Sequence, residues 1–198
     1  MEALEKLIAP IADGDRRAMQ ELYRLTYRYL AGVAQRYVDN NEDVKDVLQE
    51  GYLHIFEHIN QFSPQEAGSL RGWMTRIVVN ESLRLLRHKA RWDWIETRNE
   101  LPDIIDEDEL ETDQIPIAQL HNFIRKLPPG YRTVLNLYVF EEKSHKEIAQ
   151  LLGIKEKTSA SQYYHAKALL RQWIEDYLNY PLNKKPSNKT NDEKATDR

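Results

Sequence analysis

Two histidines and a glutamate have the most reactive spacing in the chain. His54, Glu57 and His58 read H-x-x-E-H, and two histidines four apart on one helix can share a zinc ion. A zinc site would need a third ligand, and none stands at a recognisable spacing. Solvated or capping histidines are the better reading, so no catalytic residue, metal or cofactor is assigned. The acidic run from Asp103 to Asp113 has carboxylates enough for calcium but lacks the glycine and ligand periodicity of a calcium loop. A third cluster offers recognition instead of reaction. From Lys143 to Arg171 there are six Lys or Arg and two Glu, a net of +4. A local basic surface is the electrostatic footprint of a nucleic-acid reader.

The elements that would carry that basic surface run from Ser144 to Arg171, SHKEIAQLLGIKEKTSASQYYHAKALLR. Ser144 can cap a helix, with Glu147 three residues on to complete a capping box. Ile148, Leu151 and Leu152 give that helix an apolar side, and Ala149 allows a close crossing. Gly153 falls where a left-handed residue closes the helix. A second amphipathic helix starts near Lys155 and continues through Trp173 and Tyr177. Two helices joined by a short Gly-containing turn predict a helix-turn-helix whose second helix enters the DNA major groove.

Composition narrows the setting. The chain has 198 residues, 41% apolar and 30% charged, enough for one or two domains. It has no cysteine, which excludes disulfides and thiolate metal sites and fits a reducing compartment. No apolar run reaches the ~18 residues of a membrane span. The start, MEALEKLIAP, is too acidic and too short of apolar length for a signal peptide, so a cytoplasmic protein without membrane insertion is expected. The net charge of −4 conceals a strong segregation. Leu70–Trp92 carries a net of +5, Asp93–Asp113 a net of −9, and the segment from Lys143 the +4 already noted. Two basic lobes flank an acidic connector.

Taken in order, residues 1–14 predict a short helix ending near Asp13-Gly14. Met19, Leu22, Tyr23, Thr26, Tyr27, Leu30, Val33, Ala34 and Tyr37 keep helical spacing from Asp15 to Tyr37. Asn40 or Asn41 caps the next helix. Its apolar stripe is Val44, Val47, Leu48, Gly51, Tyr52, Ile55, Phe56 and Ile59, and its polar face carries Asp43, Asp46, Gln49, Glu50 and Glu57. Phe62-Ser63-Pro64 and Gly68 break the pattern. A third long helix starts near Ser69, with Trp73, Ile77 and Asn80 on one stripe. Residues 93–116 read as an acidic mobile linker. A helix over Ile117–Leu127 stops before Pro128-Pro129-Gly130, the helix YRTVLNLYVF follows, and 181–198 read as a disordered tail. The expected fold is all-α: residues 1–92 and 117–180 form two small helical domains, the second a helix-turn-helix.

Three stretches in this order resemble one family. Asp46-Val-Leu-Gln49-Glu50-Gly51 resembles the core-binding helix of bacterial sigma factors. Gly72-Trp73-Met-Thr-Arg76-Ile77-Val-Val-Asn80 is similar to their promoter-melting helix. Leu127-Pro128-Pro129-Gly130-Tyr131-Arg132, then Glu147-Ile148-Ala149 through Gly153-Ile154 to Thr158 and Ala166-Lys167, resembles their C-terminal domain. Two folded blocks and a short linker are the layout of the extracytoplasmic-function group.

The resemblance implies a non-catalytic initiation subunit. Its partners would be core RNA polymerase, promoter DNA and an anti-sigma factor. Asp43, Asp46, Gln49 and Glu50 would bind polymerase; Asp46, Gln49 and Glu50, at i, i+3 and i+4, share one patch. Arg76, Asn80, Arg84, Arg87, Lys89 and Arg91 would contact DNA near minus 10, the cations gripping phosphate. Near minus 35, Arg132, Lys155, Lys157 and Lys167 would hold phosphate. Ala160, Ser161, Tyr164 and His165 match the family's base-facing positions. This helix is less basic than is usual there, with Ser159, Ala160, Gln162 and His165 where relatives commonly carry an apolar and three basic residues. The rival expectation is a helix-turn-helix regulator that binds DNA without polymerase.

Overall fold

The computed structural model describes residues 2–63, 69–88 and 115–179. Every regular element among them is helical. The N-terminal block holds α1 (Glu2–Glu5), α2 (Ile8–Ala12), α3 (Arg16–Ala34), α4 (Asn41–His58), a 3-10 turn (Ile59–Gln61) and α5 (Leu70–His88). The C-terminal block holds α6 (Ile117–Lys126), α7 (Pro129–Val139), α8 (His145–Leu152) and α9 (Glu156–Asn179). The expected single helix over 1–14 is two pieces, closed at Gly14 with φ +85°. The expected linker and tail, with Lys89 and Arg91, lie outside the described residues, apart from Ile115 and Pro116 at the linker's end.

Caps set the helix boundaries. The Asp15 carboxylate accepts from the amides of Arg17 and Ala18, opening α3. Asn40 accepts from Asp43 N at 2.7 Å, opening α4. At α8 both halves of the capping box form: Glu147 N donates to Ser144 Oγ at 3.3 Å, and Ser144 N donates to Glu147 Oε2 at 2.8 Å. Side-chain oxygens take up first-turn amides that have no partner within the helix.

The N-terminal core is a three-helix packing of α3, α4 and α5. The α4 stripe is buried as its spacing predicts, at Val44, Val47, Leu48, Tyr52, Ile55 and Ile59. From α5 come Met74, Val78, Val79 and Leu83. A Cβ on Gly51 would stand 3.3 Å from Val78 Cγ2, so glycine lets α4 and α5 approach closely. One buried polar link ties α3 to α4: Tyr52 and Thr26 hydroxyls lie 2.8 Å apart, and Thr26 donates to Leu22 O. Burial pushes the Tyr52 phenol up to about 12, which keeps it protonated as a donor.

The C-terminal block divides its apolar residues between two clusters. Phe123, Ile124, Leu127, Leu135, Ala166, Leu170 and Ile174 form its own core. Val134, Leu137, Ile148 and Leu152 belong to a cluster continuous with Tyr37, Val38 and the rest of the N-terminal core. The two blocks are therefore in contact across α7 and the chain that follows α3.

Candidate functional site

Helix α4 presents the acidic face that its spacing predicts. Asp46 and Gln49 are exposed, and the Glu50 side chain is about half exposed. Asp43 does not stand with them. It is the third residue of α4, where the chain turns in from the Asn40 cap, and it is buried. The face borders a groove of about 410 Å³ lined by Asp46, Gln49, Glu50, Glu81, Arg84 and His88. Buried Glu81 accepts from Arg84 Nε at 2.7 Å and pairs with His54 Nδ1 at 3.0 Å. Arg84 Nη2 also reaches Glu50 at 3.3 Å. Arg84, expected at phosphate, is thus tied into the acidic groove, because the third-residue spacing to Glu81 and the crossing of α4 point it there. His54 is occupied by the same carboxylate and His58 by the His54 carbonyl. Among the described residues no group of three potential ligands could hold a metal ion.

A second surface on the same helix was not anticipated. Tyr23, Tyr27, Gln49, Tyr52, Leu53 and Phe56 line an apolar groove of about 440 Å³ between α3 and α4. Tyr23 and Tyr27, which keep the helical spacing of the apolar positions in α3, are nonetheless 45% and 36% exposed, and Leu53 is 49% exposed. Tyr23 packs on Tyr27 and Tyr52 with ring centroids 5.1 and 4.7 Å apart. The signal available in the sequence was Leu53 itself, an apolar residue interrupting the polar face of α4. An aromatic groove beside an acidic rim has the anatomy of a protein interface.

On α5, Arg76, Asn80 and Arg87 are exposed. Their offsets of four and seven put them on one side of the helix. Trp73 is half-buried against Phe62, with centroids 5.8 Å apart, and packs against the core with Ile77.

In the C-terminal block, α8 and α9 are joined through Gly153, whose φ of +68° is the left-handed closure that its position predicts. Lys155, Lys157 and Lys167 are exposed, and Ala160, Ser161 and Tyr164 are partly exposed on α9. His165 is partly exposed as well but has a partner within the block. Its ring stacks on Tyr131 of α7 at 5.5 Å and 20°, and its Nε2 is buried without a hydrogen-bond partner. An aromatic partner on the neighbouring helix draws the imidazole inward. Arg132 departs from expectation. It is 1% exposed, and its Nη1 donates to Arg125 O at 2.9 Å and pairs with Asp39. It lies on the face of α7 that meets the N-terminal block, so phosphate cannot reach it in this arrangement. At the start of α8, His145 stacks on Tyr138 at 4.7 Å and shares a hydrogen bond of 3.0 Å with Ser159 on α9. Burial holds the His145 imidazole below its usual range, against the opposing pull of Glu156.

The chain matches two family models, Sigma-70 region 2 over residues 22–92 and Sigma-70 region 4 over residues 117–170. The helical blocks are thus those of the RNA polymerase sigma-70 class. SigM of Mycobacterium tuberculosis, an ECF RNA polymerase sigma factor, is 30% identical over 180 residues, 90% of this chain and 87% of that protein. The sigma-H factor of Pseudomonas aeruginosa is 26% identical over 187 residues, 88% of this chain and 95% of its own. SigE of Mycolicibacterium smegmatis is 30% identical over 84% of this chain, which spans 65% of that longer relative. The chain belongs to the extracytoplasmic-function group of RNA polymerase sigma factors. Among solved structures, CnrH in complex with the cytosolic domain of CnrY aligns over 86% of this chain at 24% identity, with a TM-score of 0.46.

Proposed function

We propose that this chain is an initiation subunit that binds core RNA polymerase, directs it to particular promoters and helps open the DNA there. It carries no catalytic chemistry of its own. Residues 1–92 serve as the polymerase-binding and minus-10 domain, 93–116 as the linker, 117–180 as the minus-35 helix-turn-helix domain, and 181–198 as a tail. The observation that carries the reading is the separation of two chemically different faces. Asp46, Gln49 and Glu50 form an acidic patch on α4, which suits a basic partner helix. Lys155, Lys157 and Lys167 flank Ala160, Ser161 and Tyr164 on and before α9, which suits a DNA groove. A polymerase-independent regulator has no use for the first face.

Arg76, Asn80 and Arg87 on α5 are the proposed contacts near minus 10, with Lys89 and Arg91 beyond the described residues. An anti-sigma factor is the proposed restraining partner, as family membership implies. Among the described residues no helix is long and apolar enough to cross a membrane. The acidic linker is proposed to occupy the basic channel that later holds RNA. Mixing the purified chain with core enzyme and templates tests the whole reading. Promoter-dependent transcripts that need both proteins are expected. Sequence-specific DNA binding by the chain alone, with no transcripts after core is added, would favour a free-standing regulator.

A further inference from the structure

We propose that Glu81 is a positioning residue for the polymerase-binding face: it holds the Arg84 guanidinium back, so that the Glu50 carboxylate stays available to a basic partner. The inference rests on the sigma-factor reading above. It adds two residues of α5 that act on that face from behind it.

Four side chains close a ring between α4 and α5. Glu50 and His54 stand four apart on α4, and Glu81 and Arg84 three apart on α5, so each pair shares one side of its helix. Glu81 uses both of its oxygens. Oε2 accepts from Arg84 Nε at 2.7 Å, and Oε1 meets His54 Nδ1 at 3.0 Å. Arg84 then extends Nη2 to Glu50 Oε2 at 3.3 Å. The guanidinium is shared between a buried carboxylate and an open one. The Glu81 side chain is 8% exposed, and that of Glu50 is 46% exposed.

The sharing is unequal. A separation of 2.7 Å is that of a charge-assisted hydrogen bond, whereas 3.3 Å lies past the usual range for nitrogen and oxygen. Water and salt screen the outer pair more than the inner one. Glu81 accordingly lifts the guanidinium above its ordinary value more than Glu50 does, first through the hydrogen bond and then through its charge.

Loss of Glu81 would leave the guanidinium with Glu50 as its remaining partner in the ring. An Arg free to turn pairs with carboxylate through two parallel bonds. Such a pair would cancel one of the two charges, Asp46 and Glu50, that α4 brings to the groove. A basic partner helix would then be steered more weakly. Removing Arg84 would return the Glu50 charge whatever stands at position 81.

That reversal gives the test. Association of the whole chain with purified core enzyme would be timed at several salt concentrations. The variants are Glu81→Met, Arg84→Met and the two together. Methionine keeps an apolar stem at either place and drops the charge. Glu81→Met should associate about fivefold more slowly at low salt, with its salt dependence reduced by about one charge. Adding Arg84→Met should return both quantities to the wild-type values. A ring that served only to hold α4 against α5 gives the opposite order, with the double substitution slowest, and that order would overturn the proposal. So would wild-type kinetics in Glu81→Met. Circular-dichroism melts identify any variant that does not fold. Should Glu81→Met be one, Arg84→Met decides alone: association at least as fast as wild type supports the role, and slower association refutes it. Asp46→Lys with Glu50→Lys distinguishes this role from the reading beneath it. If that variant associates normally, the polymerase face is misassigned and the positioning role fails with it. If it does not associate while Glu81→Met does so normally, only the positioning role fails.

Discussion

Reversing charge at Asp46 and Glu50 separates binding from folding. Both side chains are substantially exposed, and the ion pair of Glu50 with Arg84 is a surface pair. Solvent screens such pairs, so they add little to stability. Asp46→Lys with Glu50→Lys should therefore keep the circular-dichroism melt and abolish co-purification with core enzyme; retained co-purification would remove these residues from the interface. On α9 the residues divide differently. Tyr164→Ala should change the preferred sequence across the upstream element. Lys167→Ala should weaken every promoter alike and lower the salt dependence by about one charge. His165→Ala should also lower all promoters together, because its ring stacks on Tyr131 and its Nε2 is buried. Transcription from a library randomised across that element tests all three. The division between Tyr164 and His165 was not legible in the sequence. They are adjacent, both can hydrogen-bond, and only the position of Tyr131 on another helix decides which turns inward. The same holds for Arg132, whose carboxylate partner Asp39 lies far off in sequence, and for the reach of Arg84 to Glu50, although its closer partner Glu81 stands only three residues away.

At the scale of the element the sequence was far more informative. The Ser144 capping box, the stripe of α4 and the closure at Gly153 all depend on neighbours within four residues and form as their spacing predicts; of the two candidate caps for α4, Asn40 is the one used, and the Asp15 cap opens α3 without having been predicted. What was missed needs a second element: the inward turn of Asp43, and the groove that Tyr23 and Tyr27 make with Leu53. Two predictions belong here. Gly153→Ala places a side chain at φ +68° and should cost about 1–2 kcal/mol in chemical unfolding, the usual penalty of the left-handed region. The second concerns His145, whose folded-state value is depressed chiefly by burial. A depressed base favours the neutral form, so its contribution to stability is present above the unfolded value near 6.5. That contribution is lost as pH falls through the folded value. Melts between pH 7 and 5 should show a loss of stability that His145→Phe, which retains the ring, makes smaller. An equal loss in both would assign it to other groups.

For the whole molecule, the decisive arrangement is the continuity of the N-terminal core with Val134, Leu137, Ile148 and Leu152. A sequence pattern marks these four as apolar without saying which block they cover. Amide exchange gives an independent view of the join. The amides of Arg36, Tyr37 and Val38 are bonded to Val33 and Ala34 carbonyls, so exchange at residues 36–38 should be slow in the free chain and quicken on assembly with core and promoter if the segment loosens. Unchanged protection would mean that the two blocks stay together during initiation.

The placement of the join has a bearing on how such a protein can diversify. Asn136 and Arg132 on α7 bond to the chain that follows α3, whereas Ala160, Ser161 and Tyr164 on α9 are partly exposed and are the proposed DNA contacts. On the proposed reading, substitutions in the second set alter which promoters are chosen without touching the first. A duplicated copy could therefore acquire a new set of target genes one residue at a time, while inheriting its closure unaltered from the parent.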